Sequence, residues 1–238
     1  MSESLLYKAT TIDNLRLAWE EIAENKGIAG VDNVSIRKWR RTWEERIVRL
    51  SHQARTNTYK PRPLRVRKIP KRNRREWRVL RIPTVTDRIL MRAVLQVLYP
   101  ILEDKFLDCS FGYRPGIGLK DAVNRILILR VNEYNWVLDA DIDDYFNQVD
   151  QHILMSFLHE DLPDQSLFHL IRSWLKVGRP DPQNAKGIPM GSPLSPVLAN
   201  VFLHRLDQKI IWDGYRVVRY ADDFLVFAQK EKEIHHAY

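Results

Sequence analysis

The sequence predicts an α+β protein, because stretches with helical spacing and pairs of β-rich runs occupy different parts of the chain. Residues 12–24 and 36–50 repeat apolar side chains every three or four positions, which indicates helices with one buried face. Residues 64–82 and 215–228 each hold two β-rich runs joined by polar residues, which is typical of hairpins. Helices and hairpins in separate stretches of one chain favour the α+β class.

The other predicted elements follow in chain order. Capping residues, glycines and prolines mark their ends. They are a helix capped by Thr86 and Asp87 that runs to about Leu102, a helix over 119–131, a strand over 136–142, a helix capped by Asp150 that runs to Leu158, a helix over about 165–176, and a helix opened by 187–196 that ends near Asp207.

Composition excludes several classes of protein. The 238 residues suffice for one large domain or for two small ones that share a core. No apolar stretch approaches the ~18 residues that span a bilayer, and the first residues lack the charged head and apolar run of a secretory signal. Cys109 is the single cysteine, so neither an intrachain disulfide nor a cysteine zinc cluster is expected.

The net charge of +8 is unevenly distributed along the chain. Residues 55–92 hold 14 lysines and arginines against Glu76 and Asp87, whereas residues 133–165 hold nine acids and no lysine or arginine. The basic segment predicts a polyanion partner, with a solvated basic surface as the alternative. The acidic segment indicates bound cations, because a protein that binds polyanions gains nothing from bare carboxylates.

Two groups of aspartates carry the predicted chemistry. Asp222 and Asp223 separate the β-rich runs of 215–228, so a tight turn would project both carboxylates from a sheet end, unless they only form the turn. Asp139 and Asp141 lie two apart in a predicted strand and share one face. If that strand lies beside the hairpin, three carboxylates meet, and divalent cations relieve their repulsion. Oxygen ligands suit Mg²⁺ or Mn²⁺, and two such ions serve phosphoryl transfer.

Six segments, in order along nearly the whole chain, resemble the motifs of one family. YADDF (220–224) resembles the catalytic turn of reverse transcriptases, and LDADIDDYF (138–146) resembles their first carboxylate motif. GIPMGSPLSPVLANVFLH (187–204) resembles the loop and helix that hold template and incoming nucleotide. The other three are IPKRNRREWRVLRIPTVTDR (69–88), which resembles the fingers hairpin, and LDCSFGYRPGIGLKDAV (107–123) and KGIAGVD (26–32), which are similar to segments of group II intron and related bacterial enzymes.

This resemblance implies a right-hand polymerase palm, which is an antiparallel sheet with helices on one face, together with a fingers subdomain built around an α/β hairpin. Residues 1–130 would form the fingers and residues 131–238 the palm. The palm is expected to be incomplete at its C-terminus and the thumb to be absent, so the chain alone is expected to bind RNA but to extend primers poorly. The exposed palm edge is expected to favour self-association.

The resemblance also assigns the metal ligands. Asp141 and Asp222 would bridge two Mg²⁺ ions, or two Mn²⁺ ions, with Asp223 beside them and the carbonyl of Ile142 as a further ligand. Asp139 is the rival of Asp141, and its other interpretation is a supporting or surface acid.

Binding of the incoming nucleotide is assigned in the same way. Lys71 and Arg78 would grip the triphosphate, since a compact ammonium and a forked guanidinium both suit phosphate. Phe146 matches the steric gate that excludes a ribose 2′-hydroxyl, with core packing as its alternative role. Gly191, next to Met190, would let the backbone approach the nucleotide closely. The residues expected to contact template are Arg72, Arg74, Arg75 and Arg114.

Three positions depart from the usual family pattern. Met190 stands where glutamine is usual, which removes an amide that would bond the nucleotide sugar or the template. Asn147 replaces a common aspartate, and Arg81 stands where glycine is common before Ile-Pro-Thr. These departures bear on how the nucleotide is held.

The resulting prediction is an RNA-directed DNA polymerase of a group II intron-like retroelement. Its expected partners are a structured RNA template, a DNA primer and dNTP, without a membrane, in the bacterial cytoplasm or an organelle. The alternatives are an intron-RNA-binding maturase module without catalysis, or a CRISPR-associated, retron or diversity-generating reverse transcriptase. Phe146 and the fingers segment disfavour an RNA-dependent RNA polymerase or a cyclase.

Overall fold

The computed structural model describes residues 3–70 and 76–237, which form two compact units. The first unit consists of the residues up to Leu102 together with Phe146–Ser195, and the second consists of Glu103–Tyr145 and the residues from Pro196 onward. The division into fingers and palm expected at residues 130 and 131 stays a prediction. No helix of the two described ranges combines the length and the apolar character that crossing a membrane requires.

Helices and antiparallel hairpins occupy separate stretches of the chain, as the sequence predicts. The helices of the described residues are α1 (Leu5–Ala9), α2 (Ile12–Glu24), α3 (Ile36–Arg40), α4 (Trp43–Arg55), α5 (Val85–Glu103), α6 (Leu119–Val131), α7 (Tyr145–Gln148), α8 (Gln151–Asp161), α9 (Phe168–Gly178), α10 (Ser195–Trp212) and α11 (Glu231–Ala237). The strands are β1 (Arg65–Pro70), β2 (Trp77–Ile82), β3 (Trp136–Ala140), β4 (Arg216–Tyr220) and β5 (Asp223–Ala228). The bounds of α2 and α6 are those predicted.

The single helix predicted over 36–50 is wrong, because the chain turns between α3 and α4. The N–H groups of Arg41 and Thr42 donate to the carbonyls of Lys38 and Trp39 at 3.4 and 3.3 Å, three residues back, and this turn ends α3. The apolar repeat continues across the turn, so the spacing of side chains does not reveal the break.

The cap of α5 is Thr84 and not the predicted Thr86. Thr84 Oγ1 accepts from the N–H of Asp87 at 3.1 Å, and Asp87 Oδ2 accepts from the N–H and the hydroxyl of Thr84 at 3.3 and 2.7 Å. This reciprocal arrangement is a capping box, which satisfies N–H groups that the first turn of a helix leaves without an intrahelical partner. Asp87 therefore lies inside the first turn of α5.

The first unit combines a helical core with an exposed hairpin. The rings of Trp19 and Trp39 lie 4.6 Å apart in that core, where Trp39 is fully buried. Strands β1 and β2 pair antiparallel from Arg65 opposite Ile82 to Pro70 opposite Trp77, and most of β1 is exposed. The hairpin thus presents Arg67, Lys68 and Arg78 to solvent.

The second unit is built on an antiparallel sheet with the strand order β3-β5-β4. Helix α6 packs on the sheet through a buried apolar cluster that includes Phe111, Leu129, Val218 and Phe227. Helix α11 contacts β3 and β5. At one end of this sheet β3 stops and β4 turns into β5, and the predicted aspartates lie there.

Candidate active site

Asp222 and Asp223 lie at the turn between β4 and β5. Tyr220 is paired with Asp223 across the hairpin, so Ala221 and Asp222 form a two-residue turn. Ala221 has a φ of +62°, a left-handed conformation that suits the tight turns of hairpins. The turn therefore places two adjacent carboxylates at the end of the sheet, as the sequence predicts.

The strand that precedes Asp141 lies beside this hairpin. Strand β3 is antiparallel to β5, and its last pair is Ala140 opposite Phe224. Because the register advances one residue on each strand, Asp141 follows at the level of Asp223. Asp139 pairs with Leu225 two residues earlier, on the same side of the strand as Asp141.

Electrostatics indicate that these carboxylates lie within reach of one another. Burial raises the pKa of Asp223, and the negative charges of Asp222, Asp141 and Asp139 raise it further. Like charges held close together disfavour ionisation of each other, so the unneutralised cluster is electrostatically unfavourable. A cation between them would remove that cost.

The carboxylate oxygens at the sheet end suit a hard divalent cation, although the described side chains do not surround one metal position. In residues 3–70 and 76–237, no three His, Cys, Asp or Glu side chains are arranged around one metal position. The donors available at the sheet end are carboxylate oxygens, which Mg²⁺ and Mn²⁺ prefer. The carbonyl of Ile142 accepts from the N–H of Tyr145 at 3.2 Å, and a second lone pair remains for the predicted metal contact.

The buried side chain of Arg219 stabilises the turn between β4 and β5. Arg219 Nη1 donates to the carbonyl of Ala221 and to Asn200 Oδ1, both at 2.9 Å. Its other nitrogens bond both carboxylate oxygens of Asp207 at 2.8 and 2.6 Å. Sequence reasoning missed these residues, although a charge between apolar residues in a predicted strand was a signal for Arg219.

Gly112 packs directly against the backbone of the same turn. A Cβ at this position would lie 2.3 Å from the backbone nitrogen of Ala221, which is too close for any side chain. The carbonyl of Gly112 accepts from Asn200 Nδ2 at 2.9 Å, and the N–H of Phe111 donates to the carbonyl of Arg219 at 2.8 Å. The loop at 111–118 thus supports the aspartate turn, a role that the sequence did not reveal.

The segments that carry Phe146, Met190 and Gly191, which are predicted to bind nucleotide, are hydrogen-bonded to one another or to β2 in the first unit. The N–H of Ile188 donates to the carbonyl of Phe146 at 2.7 Å, and the N–H of Arg81 donates to the carbonyl of Met190 at 2.7 Å. Gly191 has a φ of +110°, and a Cβ there would lie 3.1 Å from the carbonyl oxygen of Arg81. The loop at 187–191 is therefore fastened to both α7 and β2.

The three departures from the family pattern are neighbours. Besides its backbone bond to Met190, Arg81 reaches Asn147 Oδ1 with Nη1 at 3.4 Å. A substitution at one of these positions therefore acts on the surroundings of the other two.

Other residues are also predicted to contact nucleotide or template. Arg78 is exposed on β2, opposite Ile69. Arg114 is mostly buried and bonds the carboxylate of Glu103 and the carbonyls of Leu107 and Ser110, the last two at 2.9 and 2.7 Å. These internal partners give Arg114 a structural role, and its contact with template stays a prediction. Lys71, Arg72, Arg74 and Arg75 lie outside the described residues.

Several aspartates lie together at the end of an antiparallel sheet, in a fold of helices and sheet. This arrangement indicates a protein whose candidate active site is built from carboxylates. Comparison with known proteins then identifies the family. Residues 69–238 match the family model described as reverse transcriptase (RNA-dependent DNA polymerase), and the chain belongs to this family.

Relatives of this chain include bacterial proteins and a mitochondrial protein of Marchantia polymorpha, which is 27% identical over 172 residues that cover 67% of this chain and 22% of that protein. The group II intron-encoded protein LtrA of Lactococcus lactis subsp. cremoris is 33% identical over 172 residues, which cover 71% of this chain and 28% of that protein. Protein YkfC of Escherichia coli (strain K12) is 32% identical over 158 residues, which cover 63% of this chain and 41% of that protein. This chain therefore spans less than half the length of each of these relatives.

Solved structures share the fold. The partial Cas6-RT-Cas1--Cas2 complex contains a chain that is 28% identical and matches with a TM-score of 0.59, over 99% of this chain and 40% of that chain. A telomerase from Candida albicans matches with a TM-score of 0.54 at 14% identity, over 85% of this chain and 43% of that chain. The telomerase match supports the fold alone.

Proposed function

We propose that this protein is an RNA-directed DNA polymerase of a group II intron-like retroelement. The observation that carries the proposal is the register that brings Asp141 level with Asp223, beside Asp222, in a chain of the reverse transcriptase family. Similarity to the intron-encoded LtrA supports the retroelement class. The reaction joins the 3′-hydroxyl of a DNA primer to the α-phosphate of a dNTP and releases pyrophosphate.

The aspartates would hold two Mg²⁺ ions, with Mn²⁺ as a substitute. Bound ions of this kind lower the pKa of an attacking hydroxyl and stabilise a departing phosphate. Asp141 and Asp222 would contact both ions, with Asp223 and the Ile142 carbonyl as further ligands. The close approach of like charges at Asp223 supports this assignment, because cations would offset their repulsion.

The nucleotide would be held by residues of the first unit. Arg78 and Lys71 would bind the triphosphate, and the ring of Phe146 would exclude a 2′-hydroxyl. Gly191 and Met190 would line the sugar and base, with their backbone fastened to β2 through Arg81. Arg72, Arg74, Arg75 and Arg114 would contact template.

The proposed partners are a structured RNA template, a DNA primer and dNTP, and copies of the chain would self-associate. Relatives from Lactococcus lactis and a mitochondrial protein of Marchantia polymorpha support a bacterial cytoplasmic or organellar location. The second candidate function is a CRISPR-associated reverse transcriptase, which is favoured by 28% identity over 99% of the chain to the Cas6-RT-Cas1--Cas2 structure. Copurification with Cas proteins or with intron RNA distinguishes the two.

The test is primer extension by the full-length gene product with Mg²⁺, paired with RNA binding by filter retention. Asp222→Asn and Asp141→Asn should abolish extension while leaving RNA affinity nearly unchanged, because RNA affinity comes from basic residues. Asp139→Asn, two residues along the same strand, is the matched control and should retain extension. Activity in Asp141→Asn together with its loss in Asp139→Asn would falsify the ligand assignment.

A further inference from the structure

A basic cleft of about 600 Å³ lies in the first unit and contains none of the residues assigned above. We call it the α4 cleft, because α4 contributes four of its lining residues. Its charged lining residues are Arg46, Arg49, Lys60, Arg62, Asp32 and Asp87, and Thr84 and Thr86 line it as well.

Helix α4 directs two arginines to the cleft. Arg46, Arg49, Leu50 and Gln53 follow one another at intervals of three, one and three residues, so all four lie on one helical face. Leu50 is buried beneath them, whereas Arg49 is exposed. Arg46 Nε donates to Thr42 Oγ1 at 2.7 Å, which orients its guanidinium.

An extended segment that carries Lys60 and Arg62 also lines the cleft. Tyr59 anchors this segment, since its hydroxyl donates to Asp87 and accepts from Trp174 Nε1 at 3.0 Å. The main-chain N–H of Arg62 also bonds Asp87. Both basic side chains are exposed while their backbone is hydrogen-bonded, so the points from which the two side chains extend are fixed.

The acids of the cleft are already engaged. Asp87 accepts from the hydroxyls of Tyr59 and Thr84, and Asp32 accepts from the N–H of Val34 at 3.1 Å. Both carboxylates also act on Arg88, whose pKa burial lowers and these two charges raise. Within the described part of the chain, Arg49, Lys60 and Arg62 form no ion pair with a carboxylate. Four basic side chains line the α4 cleft against the two carboxylates of Asp32 and Asp87, so the cleft keeps a net positive charge.

The start of α5 adds one hydroxyl donor, that of Thr86, to the same cleft. Thr86 Oγ1 accepts from Trp39 Nε1 at 3.0 Å, so its hydroxyl hydrogen remains to be donated. Thr84 adds no donor, because it is buried and its hydroxyl already donates to Asp87, whose carboxylate occupies the N-terminus of α5. Cations and the Thr86 hydroxyl on one concave surface are chemically suited to phosphate.

We infer that the α4 cleft binds phosphate groups of an RNA strand, in addition to the contacts proposed for the polymerase site. Arginine forks bind phosphate oxygens bidentately, and lysine adds a compact charge. A cleft of about 600 Å³ accommodates a phosphate with its neighbouring sugars. The identification of the strand as RNA rests on the proposed function, whereas the phosphate chemistry follows from the cleft itself. A free nucleotide is the other source of the same group.

The test is the salt dependence of RNA binding by the full-length protein, measured by fluorescence anisotropy. Arg49→Gln with Arg62→Gln should weaken binding and reduce the slope of log affinity against log salt by about 1.4, because each single-strand phosphate contact contributes about 0.7. Arg37→Gln with Arg40→Gln is the matched control, since these α3 arginines are exposed and do not line the cleft. The control pair should keep the original slope.

Equal slope changes in both pairs, or none in either, would overturn the proposal and leave only a diffuse basic surface. Titration with a dNTP and with inorganic pyrophosphate forms the second arm. The contrary result is that the Arg49→Gln, Arg62→Gln variant binds these ligands more weakly while its slope of log RNA affinity against log salt stays unchanged. That result would overturn the RNA assignment in favour of a free nucleotide. Binding is measured in an Asp222→Asn background, so the outcome is independent of whether the protein polymerises DNA, and circular dichroism verifies that each variant folds.

Discussion

Arg219 and Asp207 form a two-point ion pair whose side chains are 0% and 1% exposed. The same guanidinium holds the carbonyl of Ala221 at 2.9 Å, one residue before Asp222. The conformation of the aspartate turn therefore depends on a charge pair that lies entirely inside the second unit.

Arg219→Met should lower the free energy of unfolding by about 3–5 kcal/mol, because it leaves the carboxylate of Asp207 buried without its partner. Urea denaturation measures the change. The control is Lys209→Met, which removes the exposed partner of Asp213 and should cost no more than about 1 kcal/mol. Similar small losses in both variants would contradict a structural role for the buried pair.

Gly112→Ala should abolish primer extension and retain RNA binding. The new Cβ would lie 2.3 Å from the nitrogen of Ala221, so the turn that carries Asp222 must move. Catalysis tolerates such a displacement poorly, since misplacement by about 1 Å can cost about a hundredfold in rate. Gly118→Ala, later in the same loop, is the control, because a Cβ there meets no atom within 4 Å. Full activity of Gly112→Ala would show that the turn adapts without consequence.

Phe146→Val should increase the incorporation of ribonucleotides relative to deoxyribonucleotides. The proposed reason is that the ring occupies the space that a 2′-hydroxyl would need, and valine vacates that space. Competition between rNTP and dNTP in primer extension measures the selectivity. Tyr145→Phe serves as a control, because it removes only the hydroxyl that donates to the carbonyl of Ala199 at 2.8 Å. Unchanged selectivity in Phe146→Val would assign the ring to packing.

Cys109 should resist alkylation in the native protein. Burial raises the pKa of its thiol to about 12, with a further contribution from the charge of Asp207. Since the thiolate is the reactive form, only about one thiol in ten thousand would be ionised at pH 8. Iodoacetamide labelling followed by mass spectrometry should show modification in urea and almost none without it. Rapid native labelling would mean that the second unit opens frequently.

The local elements of this protein follow from local sequence. Helices α2 and α6 have the predicted bounds because apolar spacing and capping residues act within a few positions of one another. The aspartate turn was predictable for the same reason, as Asp222 and Asp223 separate two β-rich runs. The break between α3 and α4 was not predictable, because a turn can interrupt a helix while the apolar spacing continues.

The sequence by itself determined which carboxylates could meet, but tertiary structure decided their alignment. Asp141 reaches the level of Asp223 through pairing between strands more than 80 residues apart in sequence. The supports of the turn, Arg219 with Asp207 and Gly112, depend equally on contacts between distant segments. Hydrogen bonds and exclusion of overlapping atoms act through space, so residues that are unremarkable in sequence order become decisive only when folding brings them together.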